Sequence, residues 1–66
     1  MSLVKAMQLR VETLRSMAAV NLQGHRQFRG STTPACRELA DWYEGRYGAY
    51  KKAAEMISEA LEDHAC

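Results

Sequence analysis

The sequence predicts an all-α protein in which two helices form an antiparallel hairpin. Two stretches carry apolar residues at alternating steps of three and four, the spacing that places side chains on one face of a helix. A single turn signal, GSTTP at residues 30–34, separates the two stretches. With 66 residues, the chain is too short for a multi-domain enzyme or a dinucleotide-binding fold.

The first predicted helix covers about residues 2–23, with residue 29 as its alternative end. Ser2 is a suitable N-cap, because its hydroxyl oxygen can accept from a free backbone N–H group of the first turn. Continuing the apolar spacing brings the polar residues Asn21 and His25 onto the same stripe, so we expect the helix to fray or end between residues 22 and 29. The stripe itself is formed by Val4, Met7, Val11, Leu14 and Ala18.

The predicted connection covers about residues 24–33. Gly30 is expected to adopt the left-handed conformation that ends many helices. Thr33 is placed as the N-cap of the second helix, with Pro34 at its first position, where the missing N–H group costs nothing.

The second predicted helix covers about residues 34–63. Its apolar stripe is wide, and Trp42, Ala49 and Met56 add a further edge. Because a hairpin offers this helix one neighbour only, the stripe would leave apolar surface in water. We therefore expect a homodimer that forms a four-helix bundle, with the dimer topology left open. The predicted core of the hairpin or dimer comprises Val4, Met7, Val11, Leu14, Ala18, Leu39, Tyr43, Tyr50, Ala53, Ile57 and Leu61.

Two glycines, Gly45 and Gly48, interrupt the second helix, and each costs about 1 kcal/mol against alanine. Gly45, Ala49 and Ala53 lie four residues apart and form a track of small residues that another helix can approach closely. The alternative is a kink in the helix at the glycines.

Four of the five aromatic residues fall in the segment DWYEGRYGAY, residues 41–50. Their spacing spreads them over more than half of the helix circumference, which is too wide for one partner helix. Tryptophan, tyrosine and arginine are the residues that most often anchor protein interfaces. One interpretation is a partner-binding site; the other is an ordinary bundle core whose hydroxyls reach solvent. The candidate partner-binding residues are Trp42, Arg46, Tyr43, Tyr47 and Tyr50.

Charge is divided unevenly between the two halves, with a net charge of +4 for residues 1–33 and −3 for residues 34–66. This asymmetry favours packing of the halves side by side. A turn would gather four basic residues into a patch for an anion or an acidic partner, or into a solvated loop: His25, Arg26, Arg29 and Arg37. Nucleic-acid binding is the alternative function, through Arg10, Arg15, Arg26, Arg29 and Arg37.

No motif for catalysis, metal binding or a cofactor is present. His25, Cys36, His64 and Cys66 lack the spacing of metal ligands, and no nucleophile is paired with a base. We expect no signal peptide, because charged residues from Lys5 onwards interrupt any apolar run, and two cysteines do not make a disulfide framework. We expect a non-enzymatic protein of the cytoplasm without metal, cofactor or membrane span.

The segment RELADWYEG, residues 37–45, resembles the second helix of small phage-encoded quorum-sensing anti-activators. The resemblance rests on the pattern of Arg37, Glu38, Asp41, Trp42 and Glu44. It implies a dimeric helical hairpin that binds a LuxR-type transcription regulator and a type IV pilus assembly ATPase. Size and hairpin plan are also similar to those of small type III secretion chaperones.

Together these observations lead to one hypothesis: a dimeric, non-enzymatic interaction module that binds and modulates or inhibits another protein. A phage-encoded anti-activator of a host transcription regulator is the specific form of this hypothesis. Nucleic-acid binding and a secretion-type chaperone remain as alternatives.

Overall fold

The structure, a computed structural model, describes residues 2–65, with side chains through residue 63. Two helices, α1 (Leu3–Phe28) and α2 (Pro34–Ala65), pack against each other in an elongated hairpin of 50 × 19 × 12 Å. The predicted all-α hairpin is therefore confirmed. Within the described residues, neither helix is long and apolar enough to cross a membrane.

Helix α1 begins as predicted but continues through Gly24. The Ser2 hydroxyl oxygen accepts from the backbone N–H of Lys5 at 3.1 Å, which confirms Ser2 as the N-cap. The polar end of the stripe stays helical because its residues find partners on α2. The Nδ1 atom of His25 lies 3.1 Å from the Ala40 carbonyl oxygen.

The connection is shorter than predicted and spans residues 29–33. The expected left-handed conformation of Gly30 is wrong, because no residue in the described part of the chain has a positive φ. Instead Arg29 keeps a right-handed helical conformation, with its N–H donating to the His25 carbonyl oxygen at 2.9 Å. The N–H of Ser31 then donates to the Phe28 carbonyl oxygen at 3.1 Å and closes the turn.

Helix α2 begins at Pro34, as predicted. The Thr33 carbonyl oxygen accepts from the N–H of Arg37 at 3.1 Å, which is the bond expected of an N-cap backbone. The N–H of Thr33 donates to the Ser31 hydroxyl oxygen at 3.1 Å, so a side chain of the turn holds the start of the helix.

The core between the two helices is small. Its buried apolar residues are Val11, Ala18, Ala40 and Ala54, and no large side chain among residues 2–63 is fully buried. Val4 and Leu39 are exposed and therefore lie outside the core of the hairpin. The other predicted core residues are half-buried: Met7, Leu14, Tyr43, Tyr50, Ala53, Ile57 and Leu61.

At Gly24, a side chain of α2 comes close to the backbone of α1. A Cβ atom placed at Gly24 would lie 2.8 Å from Cδ1 of Tyr43, so the tyrosine ring packs directly on the α1 backbone. The ring is held on both sides, by stacking on Phe28 at 6.1 Å and by an edge contact with Trp42 at 5.1 Å. By contrast, a Cβ placed at Gly45 would meet no described atom of α1 within 4 Å, so the small-residue track does not contact α1 at Gly45.

Gly24→Ala is expected to lower the free energy of unfolding. The added methyl group would overlap the Tyr43 ring, and such overpacking costs about 1–3 kcal/mol, which exceeds the gain of about 1 kcal/mol in helix propensity. Urea denaturation followed by circular dichroism measures the change. Gly48→Ala is the matched control: its Cβ meets open space, so this variant should gain up to about 1 kcal/mol. Equal stability of both variants would contradict the packing described here.

Candidate functional site

Arg46 occupies the centre of one face of the hairpin and bonds to both helices. Its Nε donates to Oδ1 of Asn21 at 3.2 Å, and its Nη2 donates to the Tyr50 hydroxyl oxygen at 2.7 Å. Asn21 is only 6% exposed, and its amide nitrogen donates to the Met17 carbonyl oxygen at 2.7 Å. Since Arg46 is bonded from two directions, its guanidinium group has a fixed position and orientation.

Trp42 lies against this fixed guanidinium group. The Cζ atom of Arg46 is 4.6 Å from the Trp42 ring centroid and 5.3 Å from the Tyr50 ring centroid, both within the range of cation–π attraction. The spacing of four residues between Trp42, Arg46 and Tyr50 produces this stack on one side of α2. Trp42 nevertheless remains 53% exposed. The indole is thus a large, exposed group held in a defined orientation.

Exposed apolar side chains lie on the same side of the hairpin as the Trp42 indole. Met17 and Val20 of α1 line a shallow depression together with Asn21 and Arg46, and Val20 is 65% exposed. Helical spacing extends this apolar surface along both helices, because residues 3, 7, 11 or 14 positions apart share a side. We call this surface the Trp42 face; it comprises Leu9, Met17, Val20, Leu39, Trp42, Arg46 and Met56.

The opposite face of the hairpin carries a second groove. Tyr47 lies there, with Nζ of Lys51 at 5.7 Å from its ring centroid. Nearby, Nη2 of Arg15 donates to the Ser58 hydroxyl oxygen at 3.4 Å. We call this surface the Tyr47 groove; it is lined by Arg15, Ala18, Ala19, Leu22, Tyr47, Lys51, Ala54 and Glu55. The two faces therefore each hold an aromatic ring beneath a cation.

The structure divides the predicted aromatic cluster into three environments. Trp42, Arg46 and Tyr50 come together in one contact network, Tyr43 packs against α1, and Tyr47 lies on the opposite face. Sequence reasoning did not assign Asn21 to this site. A signal was available, because an asparagine on an apolar helix stripe requires a buried hydrogen-bond partner.

The predicted basic patch at the turn is only partly available to a ligand. His25 is half-buried, and its Nδ1 is close to the Ala40 carbonyl oxygen inside the hairpin. Arg26, Arg29 and Arg37 are exposed. Anion or acidic-partner binding at these three arginines stays a prediction.

The histidine and cysteine residues considered as metal ligands lie at different places in the chain. Among the described residues, no three His, Cys, Asp or Glu side chains come together in a group that could hold a metal ion. Cys36 is half-buried near the start of α2. Cys66 and the side chain of His64 lie outside the described part of the chain.

Asn21→Ala is expected to lower the free energy of unfolding by about 1–3 kcal/mol, because it removes the acceptor of the half-buried Arg46 Nε. Loss of this bond should also release the guanidinium from Trp42 and raise the accessibility of the indole to acrylamide. Chemical denaturation and fluorescence quenching measure the two effects, and Trp42 is the sole tryptophan of the chain. Gln23→Ala, at an exposed position of the same helix, should change stability by less than about 0.5 kcal/mol. Unchanged quenching in Asn21→Ala would contradict the role given to Asn21.

No protein-family model, curated protein or solved structure matches this chain. The function must therefore be inferred from the chemistry of the Trp42 face and its surroundings.

Proposed function

We propose that this protein is a non-enzymatic interaction module that binds protein through the Trp42 face. The observation that carries the proposal is the exposed Trp42 indole, fixed by an arginine that both helices hold in place. Large rigid side chains of this type supply most of the binding energy in many interfaces. Because the indole is oriented before binding, less side-chain entropy is lost when a partner covers it.

The composition of the Trp42 face supports a protein as its ligand. Exposed methionine, valine and leucine side chains surround one arginine, and contiguous apolar surface of this kind marks interaction sites on small proteins. Methionine also adapts its shape to a partner, since its side chain is unbranched and flexible. The lining of the Tyr47 groove instead includes three charged residues, Arg15, Lys51 and Glu55.

Modulation or inhibition of the partner is the specific form of this proposal. A hairpin with no catalytic constellation would act sterically, by covering a surface that its target needs. The segment that resembles the anti-activators, residues 37–45, contains Trp42, which supports a transcription regulator as the target.

Nucleic-acid binding is less well supported by the contacts. Arg15, one of the arginines considered for phosphate binding, donates to Ser58 beside the Tyr47 groove. Helix α2 exposes an acidic edge, which would repel a phosphate backbone. Binding to DNA or RNA that weakens steeply with added salt would reverse this preference.

Photo-cross-linking in cells tests which face meets a partner. A photoreactive amino acid at Ala49, seven residues from Trp42, reports on the Trp42 face, and the same amino acid at Ala19 reports on the Tyr47 groove. Both alanines are exposed, so the two sites are matched. We expect cross-links from residue 49 to a bound protein, whether a second copy of the chain or another protein, and few from residue 19. Cross-links from residue 19 alone would contradict the assigned face.

Trp42→Ala is expected to weaken binding of the captured protein by about thirtyfold, or about 2 kcal/mol, as truncation of an interface anchor does. Isothermal titration calorimetry measures this loss, and circular dichroism confirms that the helices persist. Lys51→Ala is the matched control, because it removes the cation that lies over an aromatic ring on the opposite face. An affinity that Trp42→Ala leaves unchanged would refute the proposed binding surface.

A further inference from the structure

We infer that a second copy of this chain covers the Trp42 face, with α1 of each copy lying on α2 of the other and both turns at the same end. This inference rests on the proposed function, since it requires that the Trp42 face binds protein. It adds the identity of an occupant and the topology of the resulting four-helix bundle.

The surface area of the hairpin matches what a second copy would bury. The chain exposes 5066 Å², whereas a compact monomer of its mass exposes about 4200 Å². The excess of about 860 Å² is close to the area of about 800 Å² that each partner contributes to a standard interface. The radius of gyration, 15.1 Å, likewise exceeds the value of about 11 Å expected for 66 residues.

The small core of the hairpin also favours covering of the Trp42 face by a second copy. Four buried apolar residues, three of them alanines, are a small core for a chain that must order 66 residues. Covering the Trp42 face would bury valine, methionine and tryptophan side chains that the hairpin leaves in water. A second copy of the chain is present wherever the first one is, and it presents the same apolar face.

A two-fold axis can bring two Trp42 faces together in two ways. With the axis along the helices, α1 of one copy lies on α2 of the other, and the two turns are neighbours. With the axis across the helices, α1 lies on α1 and α2 lies on α2, and the two turns point in opposite directions. We call these the turn-to-turn and the end-to-end arrangement.

The net charges of the helices favour the turn-to-turn arrangement. Residues 3–28 of α1 carry a net charge of +3, and residues 34–65 of α2 carry −3. The turn-to-turn arrangement places each helix on one of opposite charge. The end-to-end arrangement places like charges together, which is unfavourable across an interface.

The acidic residues beside the Trp42 face also favour the turn-to-turn over the end-to-end arrangement. Glu38 and Asp41 lie on its α2 edge near the turn, and Glu59 and Asp63 lie on the same edge near the other end. In the end-to-end arrangement, Glu38 and Asp41 of one copy would lie near Glu59 and Asp63 of the other, so that four carboxylates would repel each other. The turn-to-turn arrangement instead sets Glu59 and Asp63 at the level of the basic residues of α1: Lys5 and Arg10.

The same arrangement gives Trp42 a specific contact. Within the hairpin, Tyr43 packs on Gly24 and Arg46 bonds to Asn21, so Trp42 stands level with residues 20–24 of α1. In the turn-to-turn arrangement, Trp42 of one copy therefore meets Val20 of the second copy. Two such contacts form in each dimer, because the axis relates them.

The distance between the two turns decides the topology. A nitroxide is attached to a non-natural ketone amino acid at exposed Thr32 of the full chain, with the cysteines unchanged, and pulsed electron paramagnetic resonance measures the label separation. Packed helices are about 10 Å apart, so the turn-to-turn arrangement predicts a separation below about 30 Å. A separation near the 50 Å length of the hairpin would overturn the topology.

Charge reversal should change the affinity of the dimer in opposite directions for the two arrangements. Glu59→Lys with Asp63→Lys should weaken the dimer about two- to fivefold per pair in the turn-to-turn arrangement, as measured by sedimentation equilibrium. Adding Lys5→Glu and Arg10→Glu should restore the affinity. The matched control is Glu55→Lys with Glu62→Lys, which changes the net charge equally at two exposed positions, the first of them at the Tyr47 groove. Tighter association of the first variant would overturn the inference.

The second-copy occupant and the protein-binding function are contradicted by different results. A chain that stays monomeric at high concentration, while residue 49 still cross-links to another protein, overturns the second-copy occupant and leaves the binding function intact. A dimer whose affinity Trp42→Ala does not change overturns the assigned interface. Dimerisation weakened at least tenfold by Trp42→Ala, together with a short turn-to-turn distance, supports the inference.

Discussion

The close contact between two helices through small residues determines the rest of this structure. Ala18, Ala40 and Ala54 leave little width between the helices, and Gly24 lets the Tyr43 ring rest on the α1 backbone. A contact built in this way fully buries no large side chain among residues 2–63, and several large apolar side chains lie on the outer surface of the hairpin. The exposed character of the Trp42 face is thus a consequence of the narrow core.

Within that narrow core, polar contacts fix how the helices are aligned. Alanine packing alone tolerates sliding of one helix along the other, whereas hydrogen bonds have defined partners and lengths. The bonds of Arg46 to Asn21 and of His25 to the Ala40 carbonyl oxygen join specific positions of α1 and α2. Polar groups that set register at some cost in stability are well known in helical assemblies. The same bonds orient the side chains of the Trp42 face.

The sequence predicts the two helices, the N-cap at Ser2 and the start of α2 at Pro34, because periodicity and capping are local properties. It leaves the end of α1 open between about residue 23 and residue 29, since continuation past Gly24 depends on contacts with Tyr43 and Ala40 from the other helix. The aromatic cluster was identified by composition. Its division between two faces depends on the rotation of α2 against α1, which spacing alone does not define.

The turn between the two helices can tolerate changes in its sequence and length. Because residues 29–33 use no positive φ, the backbone there makes no demand that only glycine can meet, and Gly30 has open space around it. Extra residues in such an exposed turn add little closure entropy. This end of the hairpin can therefore accept insertions, affinity tags or a fused domain while the two helices keep their contact, which makes it a natural point for engineering and for evolutionary drift.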